Sequence, residues 1–143
     1  MDINIKDKIK NILKKKNNIV FALLFGSQIT GKTLPFSDID LGIYFDNKVN
    51  LLEIGRIISE LEKTTQRKID LVILNEIFKK DPLFAYEIIS KSELLFSKND
   101  KVLIEFKKRA ILEYLDTSKL REVVRKDFMK RIDEKRFGQL NYA

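Results

Sequence analysis

The chain switches between two apolar spacings, one of a helix and one of a strand. Ile5, Ile9, Ile12 and Leu13 recur at helical intervals, which predicts an amphipathic first helix over residues 3–16 with its lysines in water. Ile19 to Phe25 is unbroken apolar sequence, as expected of a buried strand. Ile39, Leu41 and Ile43 alternate with polar or small residues and predict a strand over 38–45. Between these strands the pattern predicts a short helix at 27–31 and a loop to Ser37. A helix over 50–65, a strand over 68–74, a helix over 81–91 and a strand over 93–97 follow. Asp81-Pro82 is a good helix start, because proline at the first helical position has no amide hydrogen to leave unpaired. Phe84, Ile88 and Ile89 then read as core residues. The sequence closes on two predicted helices, near 100–115 and 118–136.

The predicted strands and helices are expected to form an α+β fold, a small mixed sheet of about four strands flanked by helices. At 143 residues the chain fits one domain over 1–143, with a core at about 17–98 and a C-terminal helical extension at about 99–143. That extension carries more apolar residues than a small sheet has room to bury. Val102, Phe106, Ile111, Leu112 and Leu115 can line one stripe, Val123, Val124 and Phe128 another, with Phe137, Leu140 and Tyr142 trailing. They either cover the sheet or form a surface for a partner.

Composition narrows the chemistry. Cysteine and histidine are both absent, so disulfides, thiolate nucleophiles, cysteine-based zinc sites and imidazole catalysis are excluded, and acid–base work falls to carboxylates, lysine or water. No apolar run approaches the roughly 18–20 residues that span a bilayer, and MDINIKDKIKNILKKK lacks the apolar core of a secretory signal, so a cytoplasmic protein without membrane contact is expected. The net charge is +7, but residues 100–143 hold 12 basic against 8 acidic side chains, and no aromatic-basic module for RNA stands out. Nucleic acid is therefore not favoured as the main substrate. The charge instead suits attraction of a triphosphate or of an acidic protein surface.

The chemistry concentrates in FALLFGSQITGKTLPFSDIDL, residues 21–41. Gly26-Ser27 ends the first strand, and after ten intervening residues come Asp38 and Asp40. Alternation along a strand sends both carboxylates to one face, with Cα atoms about 6–7 Å apart. Paired carboxylates repel unless a cation lies between them, and all-oxygen ligation suits a hard ion such as Mg²⁺. A third acid, Asp70, interrupts the apolar run KIDLVIL. If its strand lies beside that of Asp38 and Asp40, the three form a cluster able to hold two metal ions about 3.5–4 Å apart, an arrangement suited to nucleotidyl transfer.

GSQITGKTLPFSDIDLGIYF followed by KIDLVIL resembles the minimal nucleotidyltransferases of the DNA polymerase β superfamily. With LLEIGRIISELEK, DPLFAYEIISKSELLF and EYLD, the chain is also similar to the MntA-type adenylyltransferase antitoxins over about residues 17–116. The resemblance implies the polymerase-β-like fold, Asp38, Asp40 and Asp70 as ligands of two Mg²⁺ ions, and Asp70 as a candidate to draw the acceptor's proton. It places the β and γ phosphates of ATP on Gly26 and Ser27. Glycine lets the backbone approach a phosphate, and free amides at a helix start attract anions. Thr30 stands before Gly31 where the family commonly has arginine, and a cation follows only at Lys32, which could lend charge to the triphosphate. Ser37 could buttress the metal-bearing strand.

The implied activity is transfer of AMP from ATP to a tyrosine hydroxyl of a cognate HEPN-domain ribonuclease toxin, with the two proteins forming a hetero-oligomer. Two alternatives stay open. The chain could neutralise its partner by binding alone, or the transferase could act on a small molecule or on RNA.

Overall fold

The computed structural model describes residues 3–25 and 38–142. Helix α1 (Ile3–Lys14) precedes strands β1 (Ile19–Phe25) and β2 (Ile39–Phe45), followed by α2 (Leu51–Thr65) and β3 (Ile69–Ile73). Two helices, α3 (Ile77–Lys80) and α4 (Pro82–Lys91), lead to β4 (Glu93–Ser97) and to a long final helix, α5 (Asp100–Tyr142). The four strands form one mixed sheet in the order β3-β2-β1-β4. β1 runs antiparallel to β2 and to β4, whereas β2 and β3 are parallel, joined by α2 as the crossover.

Both faces of the sheet are covered, which explains why β1 shows no polar alternation. On one face Ile9 and Leu13 of α1 and Ile57 and Leu61 of α2 pack against Ala22, Leu24, Ile39, Leu41 and Ile43. On the other, Phe78, Ala85, Ile88, Leu103, Phe106 and Ala110 from α3, α4 and α5 pack against Phe21, Leu23 and Phe25. Phe84 and Ile89 join this second core, as their spacing predicted. Gly42 belongs to the same face, and a Cβ there would come within 2.9 Å of the Leu74 side chain. Its missing side chain lets Leu74 lie flat on β2.

Local signals set the helix ends. The Asn50 side chain accepts from the Glu53 amide at 2.8 Å to start α2, and Asp81 accepts from the Phe84 amide at 3.1 Å to start α4, with Pro82 next to it. α2 stops at Gln66, whose φ of 56° turns the chain toward β3.

The structure corrects the C-terminal reading. The two helices expected near 100–115 and 118–136 are one continuous helix, α5. The polar stretch Asp116-Thr117-Ser118 lies at the expected boundary, and short polar side chains can compete for backbone hydrogen bonds. Here the Thr117 hydroxyl donates to the carbonyls of Glu113 and Tyr114, and Ser118 to that of Leu115, so the hydroxyls bond back inside the helix. The expected stripe of Val102, Phe106, Ile111, Leu112 and Leu115 also divides. Phe106 is buried and Val102 packs beside it, whereas Ile111, Leu112 and Leu115 are exposed. The four-residue α3 had no sequence signal of its own, being too short for a period to show.

One clip closes the far end of the parallel pair. The Asn75 side-chain amide donates to the Phe45 carbonyl at 2.6 Å, and its oxygen accepts from the Phe45 amide at 3.0 Å. Asn75→Ala strips both partners from a part-buried peptide and is expected to cost about 1–3 kcal/mol in urea unfolding. A loss under about 0.5 kcal/mol would mean that water replaces the clip.

Candidate active site

The acids expected to act together meet at the N-terminal ends of the two parallel strands. Asp40 of β2 and Asp70 of β3 are register partners, flanked by the pairs Ile39–Ile69 and Leu41–Leu71. Partners on adjacent strands lie about 4.8 Å apart and point to the same face. Asp38 precedes Asp40 by two residues, the interval that returns a side chain to one face of an extended chain. On the opposite side of Asp40, its register partner on β1 is Phe25, whose ring meets Phe84 of α4 edge-on at 6.0 Å.

The register that pairs Asp40 with Asp70 is set where α2 hands over to β3. Glu62 accepts from the Ile69 amide at 3.2 Å, and the Ile39 amide donates to the Lys68 carbonyl at 2.8 Å. The buried Thr65 hydroxyl donates to Leu61 and accepts from the Arg67 amide at 3.3 Å, which fixes the turn around Gln66. A slip of one residue would send Asp70 to the opposite face.

The carboxylates differ in surroundings. Asp70 is exposed, while Asp38 and Asp40 are half-buried. Burial pushes the Asp40 carboxyl above its ordinary value, and the negative charges of Asp70 and then Asp38 push it further. Asp38 and Asp70 are thus both within electrostatic reach of Asp40. Among the described residues no three acidic side chains are arranged as a ready metal site. The donor set nevertheless fits a hard cation, since it consists of carboxylate oxygens alone and its central member carries repulsion that a cation would relieve.

Gly26, Ser27, Lys32 and Ser37, the residues expected to hold the nucleotide, lie outside the described residues, as do the expected 27–31 helix and the loop to Ser37. A hollow of about 590 Å³ lined by Tyr44, Lys48, Val49, Ile73, Asn75 and Lys80 lies at the other end of β2 and β3. Glu76 is the one acid among the described residues that line it, so the hollow lacks the convergent acids that mark the Asp40 end. No helix among the described residues is long and apolar enough to cross a membrane.

Three solved structures show the same fold. A chain of a toxin–antitoxin structure with AMP-PNP aligns with a TM-score of 0.71 at 19% identity, covering 87% of this chain and 98% of that one. A chain of the tri-AMPylated Shewanella oneidensis HEPN toxin in complex with MNT antitoxin aligns at 0.69 and 18% identity, covering 90% and 99%. The spectinomycin adenyltransferase AAD(9) from Enterococcus faecialis, solved with ATP and spectinomycin, aligns at 0.55 and 17% identity over 83% of this chain and 66% of that one. No curated protein sequence matches. Residues 7–101, a span that contains Asp38, Asp40 and Asp70, match the family described as Polymerase beta, Nucleotidyltransferase, and the chain therefore belongs to that family.

Proposed function

We propose that the chain is an antitoxin that transfers AMP from ATP to a tyrosine hydroxyl of a HEPN-domain toxin and so neutralises it. The observation that carries the reading is the in-register pair Asp40 and Asp70 beside Asp38, within a nucleotidyltransferase family member. Support for the partner comes from structural neighbours solved as toxin–antitoxin assemblies, one of them tri-AMPylated.

In this reading Asp38, Asp40 and Asp70 hold two Mg²⁺ ions. When bound, magnesium supplies positive charge to the acceptor oxygen and to the triphosphate. The acceptor oxygen forms a bond to the α-phosphorus while the bond to pyrophosphate breaks in line. Asp70, the exposed acid of the three, faces the solvent from which the hydroxyl arrives and takes up its proton directly or through a water. Gly26 and Ser27 bind the β and γ phosphates, Lys32 adds charge, and Ser37 supports the strand carrying Asp38. The chain has no histidine to take the proton instead.

The test is incubation of both proteins with ATP labelled at the α-phosphate. Label on a toxin tyrosine, lost on chelation and restored by Mg²⁺, is the expected result. Stoichiometric inhibition of the toxin without label would replace catalysis by simple occlusion, and label on RNA would redirect the transferase. A small-molecule acceptor is not favoured, because about a third of the spectinomycin enzyme's chain lies beyond the matched part.

A further inference from the structure

The final helix keeps writing a core-facing pattern after its own core has ended. Phe106 and Ala110 of α5 are 3% and 0% exposed, within the second core. Val124 and Phe128 stand eighteen residues further on, about five helical turns, so they point the same way as Phe106 and Ala110. Yet they are 59% and 60% exposed, and every described side chain from Arg121 to Arg131 is exposed. About 30 Å of helix extends beyond Arg121. An isolated helix gains little from propensity alone, and apolar positions in line with a buried stripe stabilise it only when something covers them.

We propose that residues 121–132 are a docking helix, with Val124 and Phe128 as anchors in an apolar groove rimmed by acidic side chains on a partner protein. Anchors spaced four residues apart are the pattern of a helix laid in a groove. Charge selects the occupant. Residues 119–132 contain Lys119, Arg121, Arg125, Lys126, Lys130 and Arg131 against only Glu122 and Asp127. Both acids are already engaged, Glu122 with Lys126 at 3.3 Å and Asp127 with Arg131 at 3.2 Å. A second copy would set this basic stretch against its like, whereas an acidic rim complements it. At the root of the arm the Tyr114 ring stacks on Tyr86 of α4 at 4.0 Å, with the Arg121 guanidinium 4.6 Å from its centre, which fastens the helix to the body. The identification of the partner as the HEPN-domain toxin rests on the reading above; the surface itself does not.

The experiment uses the full chain and the cognate HEPN-domain toxin of the reading above. Val124→Asp combined with Phe128→Asp is expected to weaken binding by about a hundredfold or more. Ile104→Asp, on the opposite side of α5 and also exposed, should bind as wild type and serves as the control. Melting temperature and Mg²⁺-ATP binding should be unchanged in both variants, because the substituted side chains are exposed. Unchanged toxin affinity in the double variant overturns the proposal. So does light scattering that finds a wild-type dimer dispersed by the double substitution, since the face would then belong to a second copy. Wild-type docking through Val124 and Phe128 without AMP transfer would sustain the surface and sink the transferase reading. AMP transfer with an unchanged KM for the toxin in the double variant would do the reverse.

Discussion

Asp40→Asn is expected to reduce AMP transfer by at least about a hundredfold while making the metal-free protein more stable at neutral pH. Asparagine keeps the size of the side chain and removes the charge that burial, Asp70 and Asp38 all oppose. The sign follows from linkage. Asp40 binds its proton more tightly in the folded state than at the ordinary value of 3.8, so ionisation costs folded-state stability. That cost is fully present above the raised folded value and disappears as the pH falls through it toward 3.8. In chelator, the variant should therefore melt above the wild type at pH 7, with the gap closing on acidification. Addition of Mg²⁺ should raise the wild-type melting temperature and leave the variant nearly unmoved, since only the intact cluster gains binding energy in the folded state. A variant that melts below the wild type in chelator at pH 7 would show that Asp40 is not held against repulsion. Turnover near the wild-type rate would remove it from the chemistry. Asp70→Asn should lower turnover comparably and bring the Asp40 carboxyl back toward its ordinary value, observable by carbon-detected titration.

Phe21→Ala should produce the largest loss of stability, about 3–5 kcal/mol in urea unfolding. Phe21 is fully buried in the middle of the sheet, with its ring stacked on Tyr44 at 4.9 Å and tilted against Phe106 at 5.5 Å. Phe106 in turn meets Phe78 at 6.3 Å, so one deletion unsettles contacts among β1, β2, α3 and α5. Such rings add roughly 0.5–1.5 kcal/mol per pair beyond their buried area. Phe21→Leu keeps most of the volume and should lose well under half as much. A loss below about 1.5 kcal/mol for the alanine variant would mean that α5 closes over the gap.

Some of this was legible in advance for definite reasons. β1 and β4 were readable to the residue because uninterrupted apolar runs bounded by polar residues have few other uses. α2 was readable from its apolar period, and α4 because Asp81-Pro82 announces its start. Asp38, Asp40 and Asp70 stood out because a carboxylate inside a strand pattern needs a reason to be there. α5 was divided wrongly: a polar stretch separates the two apolar stripes, but the Thr117 and Ser118 hydroxyls bond back to carbonyls inside one helix.

By itself the sequence determined the kinds of elements, the candidate carboxylates and the exclusion of imidazole and thiol, since residue identity and short-range period carry that information. Only the tertiary structure decided that β3 lies parallel to β2 rather than elsewhere in the sheet, and that Asp70 stands level with Asp40. Strand order and register arise from contacts between segments some thirty residues apart, and local spacing cannot encode a displacement of one residue that would send Asp70 to the other face. The same holds for the arm of α5. Its apolar stripe is visible in the sequence, but where the protein's own core stops covering it is a property of the folded body alone.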